Sequence, residues 1–260
     1  MRFFGRTQPL ARYPIATCLE RIAALGFDGV ELCLENDDLH PSTLTPERAR
    51  CLGDQIQALN LTPFSVSYHR DYVYDEAILA QTLHAIRLTP LMGSTVFVFG
   101  NARPRSGDAA EWRLLVERTR CLVAEAEACG VLLAEEAEPG FIVDSTAKLL
   151  RLFEDIPSAH LAANLDLGHM FLQDPDPLAA IAQVGAKIAH GHVENMRAHV
   201  HDHQLPQEGD MDLRAYLAAL RRAGFEGGLA LDLYRHDYEA VAPEALAYLR
   251  GLLADLPDTL

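Results

Sequence analysis

Short apolar segments alternate with longer segments of helical periodicity along the whole chain, and this alternation most constrains the possible folds. The apolar segments that we predict as strands are residues 2–5, 29–34, 62–68, 94–100, 131–137, 161–167, 187–193 and 228–234. Between them, stretches such as 17–26, 112–130 and 212–224 carry apolar residues three and four positions apart, and most end in glycine. A repeated strand–helix order predicts parallel strands joined by crossover helices.

Eight strand–helix units in 260 residues match the size of a closed barrel. We therefore predict an α/β protein with one domain over residues 1–260, a (β/α)8 TIM barrel. A doubly wound open sheet is the alternative, but it would need a glycine-rich phosphate loop, and neither GxGxxG nor GxxxxGK[ST] occurs in the sequence. In a TIM barrel, functional residues lie at the carboxyl ends of the strands.

Charge and cysteine content restrict the partners that we expect. With 22 Lys and Arg against 37 Asp and Glu, the net charge of -15 opposes binding to a phosphate backbone, so nucleic acid is not an expected partner. The five cysteines are scattered without a CxxC pair, which indicates a reducing compartment. No segment resembles a signal peptide or a membrane span of roughly 20 apolar residues. We expect a cytoplasmic protein without membrane association, and whether it forms a homo-oligomer stays open.

Four of the predicted strands end with a polar residue on one face. Because side chains alternate along a strand, Glu136, Asp166, His192 and Asp232 have the parity that would point them at a common centre. Three carboxylates would repel one another there unless a cation lay between them. This mixed oxygen and nitrogen set suits Mn²⁺, Mg²⁺, Co²⁺, Fe²⁺ or Zn²⁺. The pattern therefore predicts one divalent metal ion.

Neighbouring residues compete for two of these positions. Glu138 has the same parity as Glu136, and a β-bulge would admit Glu135 instead. His190 competes with His192, although we expect His190 to fail the geometric requirement of a shared ion. A single acidic residue near a strand end is more often a helix cap or a surface charge, so the prediction depends on the residues occurring together.

Five sequence segments occur in a specific order along almost the whole chain. They are ALGFDGVEL (24–32), GVLLAEEAEPG (130–140), LDLGHM (165–170), HGHVENMRAHVHDHQLPQEGDMDL (190–213) and GFEGGLALDLYRH (224–236). Together they resemble the xylose isomerase-like TIM barrels. That family includes sugar phosphate isomerases and epimerases, ketose 3-epimerases, hydroxypyruvate isomerases, inosose dehydratases and the endonuclease IV group.

The resemblance implies two sets of site residues. The metal ligands would be Glu136, Asp166, His192 and Asp232. The residues beside the substrate would be His169, Arg197 and His203. Glu136 and Asp232 would also act as the catalytic acid and base. The chain departs from the family at Asp232, where strand 8 usually offers Glu, and at Gln207, where many relatives have Gly. His199 and His201, in the same histidine-rich segment, are equally consistent with a solvated surface.

The resemblance implies a divalent-metal-dependent isomerase or epimerase that acts on a sugar, sugar phosphate or cyclitol. In such an enzyme a carboxylate removes the proton next to a carbonyl, and an enediolate forms. A dehydratase of the inosose type is the alternative, and a non-catalytic barrel is a further one. An abasic-site endonuclease is disfavoured by the net charge. An unphosphorylated substrate is slightly favoured, because we expect most of the loop arginines to be solvated; these are Arg6, Arg70, Arg103, Arg105 and Arg197.

Overall fold

A computed structural model of the chain describes residues 1–257 and shows a closed barrel of eight parallel strands, which confirms the predicted fold. The first elements are β1 (Arg2–Arg6), α1 (Ile15–Ala24), β2 (Gly29–Cys33), α2 (Pro46–Ala58), β3 (Thr62–Tyr68), α3 (Glu76–Leu88) and β4 (Val96–Phe99). The next are α4 (Ala109–Cys129), β5 (Leu132–Glu136), α5 (Thr146–Asp155), β6 (Leu161–Asp166), α6 (Leu167–Gln173) and α7 (Pro177–Val184). The last are β7 (Ile188–Val193), β8 (Asn195–Arg197), β9 (Val200–Gln204), α8 (Leu213–Arg222), β10 (Gly228–Leu231) and α9 (Tyr238–Ala254).

Strands β1 to β7 lie side by side in chain order, and β10 closes the barrel between β7 and β1. All eight predicted strands are present, and their ends differ from the prediction by up to three residues. The largest difference is at β10, which ends at Leu231 rather than at residue 234. The neighbouring strand β7 pairs with β10 only as far as Val193, so the residues after Leu231 have left the sheet and enter a loop.

The recurring order of a helix, a glycine and a strand has a local physical cause, which α4 illustrates. This helix begins after Asp108, whose carboxylate accepts the backbone N–H groups of Ala110 and Glu111 at 2.8 and 2.9 Å. It ends at Gly130, whose φ of 67° lies in the left-handed region that favours glycine. Strand β5 then begins at Leu132. Among residues 1–257, no helix has both the length and the apolar character that crossing a membrane requires.

Aromatic side chains fill the barrel axis below the carboxyl ends of the strands. The rings of Phe4 and Phe64 stack with centroids 3.9 Å apart, and the His190 ring stacks on Phe64 at 4.8 Å. A Cβ on Gly228 would lie 1.8 Å from the Phe4 ring, so glycine is required at that position of β10. The stack closes the lower interior, and polar side chains occupy the layers above it.

A small antiparallel sheet lies outside the barrel and was not predicted. Strands β8 and β9 pair with each other in the segment that follows β7. Their sequences, NMR and VHDHQ, contain too few apolar residues for the alternation that reveals a strand. We call residues 195–204 the histidine hairpin.

Candidate functional site

Three of the four predicted ligands meet at the carboxyl ends of β5, β6 and β7. One ligand atom from each of Glu136, Asp166 and His192 lies within 4.8 Å of the others, and all three residues are buried. His192 Nδ1 is 3.1 Å from Glu136 Oε2 and 3.7 Å from Asp166 Oδ2. The sheet register causes this meeting, because Asp166 is aligned with His192 and Glu136 with Asn164 in adjacent strands. We call Glu136, Asp166 and His192 the carboxylate–histidine group.

Asp166 has an oxygen that the surrounding protein does not satisfy. Its Oδ1 accepts the backbone N–H of His169 at 2.8 Å and thereby caps α6. Its Oδ2 is buried and, within residues 1–257, has no hydrogen-bond partner. A buried, unpaired carboxylate oxygen is costly unless a cation compensates for it. The donor set and this oxygen therefore fit a divalent metal ion.

A second carboxylate holds the imidazole of His192 in place from below. Glu31 Oε2 lies 3.1 Å from His192 Nε2, so this nitrogen can donate to Glu31 while Nδ1 faces Glu136. Metal-binding histidines commonly donate their other N–H to a carboxylate in this way. Burial raises the pKa of Glu31, but Arg6, His192 and His190 together outweigh burial and hold the pKa well below its ordinary range. The sequence analysis did not predict Glu31 as a site residue, although an acidic residue inside the apolar segment 29–34 could have indicated one.

Asp232, the fourth predicted ligand, is buried at the end of β10 and pairs with the Arg6 guanidinium. It forms a further group with Glu194 and His203, whose ligand atoms also lie within 4.8 Å of one another. Arg6 is the last residue of β1 and is 4% exposed, so the expectation of a solvated loop arginine was wrong at this position. The two carboxylates of Glu31 and Asp232 compensate for its burial.

The competing residues have other partners. Glu135, on the opposite parity to Glu136, accepts the side-chain N–H of Asn101 at 2.8 Å, and burial raises its pKa well above the ordinary range. His190 is fully buried with Nδ1 2.8 Å from Asn164 Oδ1 and Nε2 2.9 Å from the hydroxyl of Ser65. Both ring nitrogens of His190 are thus engaged below the site.

A cavity of about 300 Å³ opens above the carboxylate–histidine group. Among the residues that line it are Glu136, Asp232, His169 and His203, which are four of the predicted site residues. Glu138, weighed as an alternative to Glu136, also lines the cavity, and burial raises its pKa. The walls are mostly polar, so the cavity suits a molecule rich in hydroxyl or carbonyl oxygens.

Arg197 lies apart from this cavity. It is the last residue of β8, its side chain is 60% exposed, and its Nε donates to Asp202 Oδ2 at 2.5 Å. The described residues that line the cavity do not include Arg197. Its contact with a substrate therefore stays a prediction.

His69 lines the cavity and was missed by the sequence analysis. Its Nε2 lies 3.1 Å from Glu136 Oε2, and its backbone N–H donates to Glu35. Burial lowers the pKa of His69, but the nearby Glu136 and Glu35 together outweigh burial and raise the pKa well above the ordinary value. The available signal was its position directly after the predicted strand 62–68.

The structure is a TIM barrel with a buried group of candidate metal ligands at the carboxyl ends of its strands. A family model described as xylose isomerase-like TIM barrel matches residues 19–252. The chain belongs to this family, as the five sequence segments named in the sequence analysis indicate.

Individual relatives include an epimerase and a dehydratase. Fructoselysine 3-epimerase of Escherichia coli O157:H7 is 24% identical over 262 residues, which cover 94% of this chain and 95% of that protein. The 3-dehydroshikimate dehydratase of Pseudomonas aeruginosa is 28% identical over 251 residues, which cover 90% of this chain but 39% of that protein. The crystal structure of the IOLI protein with a bound zinc atom has the same fold, with a TM-score of 0.80, 20% identity and coverage of 98% and 97%.

Proposed function

We propose that the protein is a divalent-metal-dependent epimerase or isomerase of a small sugar or cyclitol, which acts by proton transfer through an enediolate. The carboxylate–histidine group carries this proposal, because one Asp166 oxygen has no hydrogen-bond partner within residues 1–257 and Glu136 of the same group lines a polar cavity. The fructoselysine 3-epimerase relative supports the reaction class. The zinc in the similarly folded IOLI protein supports a metal.

The metal would be held by Glu136, Asp166, His192 and Asp232. When bound, a divalent ion polarises a substrate carbonyl and makes the adjacent C–H more acidic. Asp232 would have to exchange part of its contact with Arg6 for the ion. Glu31 would keep His192 oriented, since it accepts the proton on the nitrogen that faces away from the cavity.

Glu136 would serve as one of two bases. Burial raises the pKa of Glu136, but His192 and His69 outweigh it and hold the pKa well below the ordinary range. The carboxylate is therefore ionised, as a base must be, although the same two imidazoles lower its proton affinity. His69 and Asn164 donate to the same oxygen, at 3.1 and 2.6 Å, and would fix its direction. Asp232, also on the cavity wall, would be the second base on the other side of the substrate.

A dehydratase is the second candidate, and the Arg6–Asp232 ion pair favours it. In this ion pair the Asp232 carboxylate is occupied by the Arg6 guanidinium, which leaves Glu136 as a single base on the cavity wall. One base suffices to remove a proton before a β-hydroxyl leaves, whereas epimerisation needs a proton on each face. The dehydratase relative is consistent with this outcome.

Deuterium incorporation and product mass after incubation in heavy water distinguish an epimerase or isomerase from a dehydratase. The metal-loaded protein, incubated with D-fructose or D-tagatose, should place deuterium on the carbon next to the carbonyl and yield an epimer or isomer of unchanged mass apart from deuterium. Asp232→Asn and Glu136→Gln should each lower turnover by roughly 10²- to 10⁴-fold while bound metal is largely retained.

The matched control is Glu135→Gln, which makes the same change at a buried neighbour on the opposite parity. It should leave turnover unchanged. A fully active Asp232→Asn variant would remove Asp232 from the mechanism. A product lighter by one water would favour the dehydratase.

A further inference from the structure

Arg6 places a permanent positive charge on the wall of the cavity. Two arginines are among the described residues that line this cavity, and of these Arg70 is exposed while Arg6 is buried. A guanidinium is not deprotonated in proteins, so its charge does not depend on pH. Such a buried charge is costly unless partners compensate for it. The positions of these partners show which part of the guanidinium stays free.

Two of the three guanidinium nitrogens face carboxylates. Arg6 Nε donates to Glu31 Oε1 at 2.8 Å, and Nη1 forms the ion pair with Asp232 Oδ2. The barrel causes both contacts, because Arg6 is aligned with Glu31 in the neighbouring strand β2 and β10, which precedes Asp232, lies on the other side of β1. The guanidinium is therefore held from two sides, and its direction does not depend on a bound substrate.

The third nitrogen, Arg6 Nη2, has no hydrogen-bond partner within residues 1–257. It is also not among the buried side-chain atoms that lack a partner, so it reaches the surface of the cavity. A charged N–H group is thus available to a molecule in the cavity. A donor that is already fixed in direction contributes most where negative charge develops during a reaction, because the protein does not have to reorganise at that moment.

The carboxylates around the guanidinium indicate which oxygen it can bind. Glu31 and Asp232 together formally outnumber its single positive charge, and Glu35, Glu136 and Glu138 also line the cavity. A phosphate or carboxylate substituent would add a permanent negative charge to this group. A substrate that arrives neutral avoids that repulsion, and its oxygen meets the guanidinium when it becomes negative.

We propose that Arg6 is a catalytic residue that donates from Nη2 to the substrate oxygen on which the negative charge of the enediolate develops. This inference rests on the proposed function. When a carboxylate of the cavity takes the proton, the C–H bond breaks and its electron pair forms the carbon–carbon double bond, while the π electrons of the carbonyl move onto its oxygen. Arg6 compensates for the charge on that oxygen. The arrangement selects a neutral sugar or cyclitol ketone as substrate.

Steady-state kinetics of the metal-loaded full chain with D-fructose or D-tagatose test this contact. Arg6→Gln should lower kcat by roughly 10²- to 10³-fold, as the loss of one oxyanion donor does. KM should change by less than about threefold, because the contact forms only as the charge develops. Arg6→Lys keeps the charge that Glu31 and Asp232 require, so it should fold. Its single nitrogen cannot serve two carboxylates and the substrate, so it should also lose most of kcat.

The matched control is Arg2→Gln, the same substitution in the same strand. Arg2 is exposed at the other end of β1, where its Nη1 donates to the hydroxyl of Thr62 at 3.2 Å. It should leave kcat and KM unchanged. Bound metal and circular dichroism are measured for every variant, so that a lost ion or a lost fold is recognised separately. A wild-type kcat in Arg6→Lys would overturn the proposal, because compensation of the two carboxylates would then be the whole role of Arg6.

Binding of oxalate gives a readout that does not require turnover. Oxalate is planar with negatively charged oxygens on adjacent carbons, as in an enediolate, and its affinity for the Mn²⁺-loaded protein is measured by calorimetry. Arg6→Gln should weaken binding roughly 10- to 100-fold, the size of one hydrogen bond to a charged group. Arg2→Gln should not weaken it.

The two readouts separate this inference from the proposed function. If neither sugar is converted but oxalate binding depends on Arg6, only the proposed function fails. A wild type that does not bind oxalate, or an equal affinity in wild type and Arg6→Gln, would overturn the contact between Arg6 and an anionic oxygen.

Discussion

The buried carboxylate of Glu31 should contribute more to stability than any other acidic group below the site. Glu31 is 0% exposed and accepts from Arg6 Nε at 2.8 Å, from Ser65 at 3.2 Å and from His192 at 3.1 Å, and His190 Nε2 lies 3.1 Å away. Glu31→Gln removes the charge and places an amide N–H among these donors. Arg6 then keeps only Asp232 as a charged partner.

The size of the effect follows from the loss of one partner in a buried ion pair, which costs about 3–5 kcal/mol. For a chain of this length, 1 kcal/mol corresponds to roughly 2–4 °C in melting temperature, so we expect a decrease of about 6–20 °C. The measurement is thermal unfolding by circular dichroism at pH 7 in the presence of a chelator, so that bound metal does not contribute.

Glu135→Gln provides the matched comparison. Glu135 is equally buried, but its only side-chain hydrogen bond within residues 1–257 comes from Asn101, and burial raises its pKa well above the ordinary range. Below this raised pKa the native carboxyl is protonated and resembles the amide that replaces it, so the two proteins should be about equally stable in mild acid. At pH 7 the wild type has lost stability because its unfolded chain ionises this group, so Glu135→Gln should be at least as stable as wild type. Equal destabilisation by the two substitutions would refute the reasoning, since only their charged neighbours differ.

The two carboxyl groups should also differ in their dependence on pH. The pKa of Glu31 is lower in the folded state, so its contribution is present above the unfolded value of about 4.3 and is lost as the pH falls through the folded value. The pKa of Glu135 is higher in the folded state, so its contribution is full below about 4.3 and is lost as the pH rises through the folded value. The deficit of Glu31→Gln should therefore shrink in acid, and Glu135→Gln should gain relative to wild type as the pH rises.

Two further predictions use metal content as a separate readout. Arg197→Ala should raise KM and leave the metal content unchanged, because Arg197 is predicted to hold a substrate oxygen and lies away from the carboxylate–histidine group; lost metal or an unchanged KM would contradict that role. Removal of metal by a chelator should abolish turnover and lower the melting temperature, and readdition should restore both, since an ion at 100 times its Kd stabilises the folded state by about 2.7 kcal/mol. A melting temperature that does not respond to Mn²⁺, Co²⁺ or Zn²⁺ would count against a metal in the folded protein.

Much of the fold was predictable because each barrel strand is a short apolar segment that can be recognised from its local sequence. A helix that ends in glycine precedes an apolar strand several times, as at Gly130 before β5, and this order requires parallel strands. The histidine hairpin was not predictable in the same way. Its strands pair with each other outside the barrel, so they bury few apolar side chains and leave no alternation in the sequence.

The proximity of Glu136, Asp166 and His192 was predictable, because the register of adjacent strands decides it. Proximity was not predictable where a contact joins residues distant in the sequence through the barrel interior. Arg6 contacts Asp232 because β1 and β10 are neighbours in the closed sheet, with Gly5 aligned with Leu231. Parity places Asp232 toward the centre but cannot show that a guanidinium already lies there.

The aromatic stack of Phe4, Phe64 and His190 fills the lower interior of the barrel, away from the carboxyl ends of the strands. The cavity at Glu136 opens at the carboxyl ends of the strands, so a small molecule enters and leaves on that side of the barrel. For a reversible reaction, substrate and product then exchange through the same face, and the residues at its rim affect the rate of exchange in both directions.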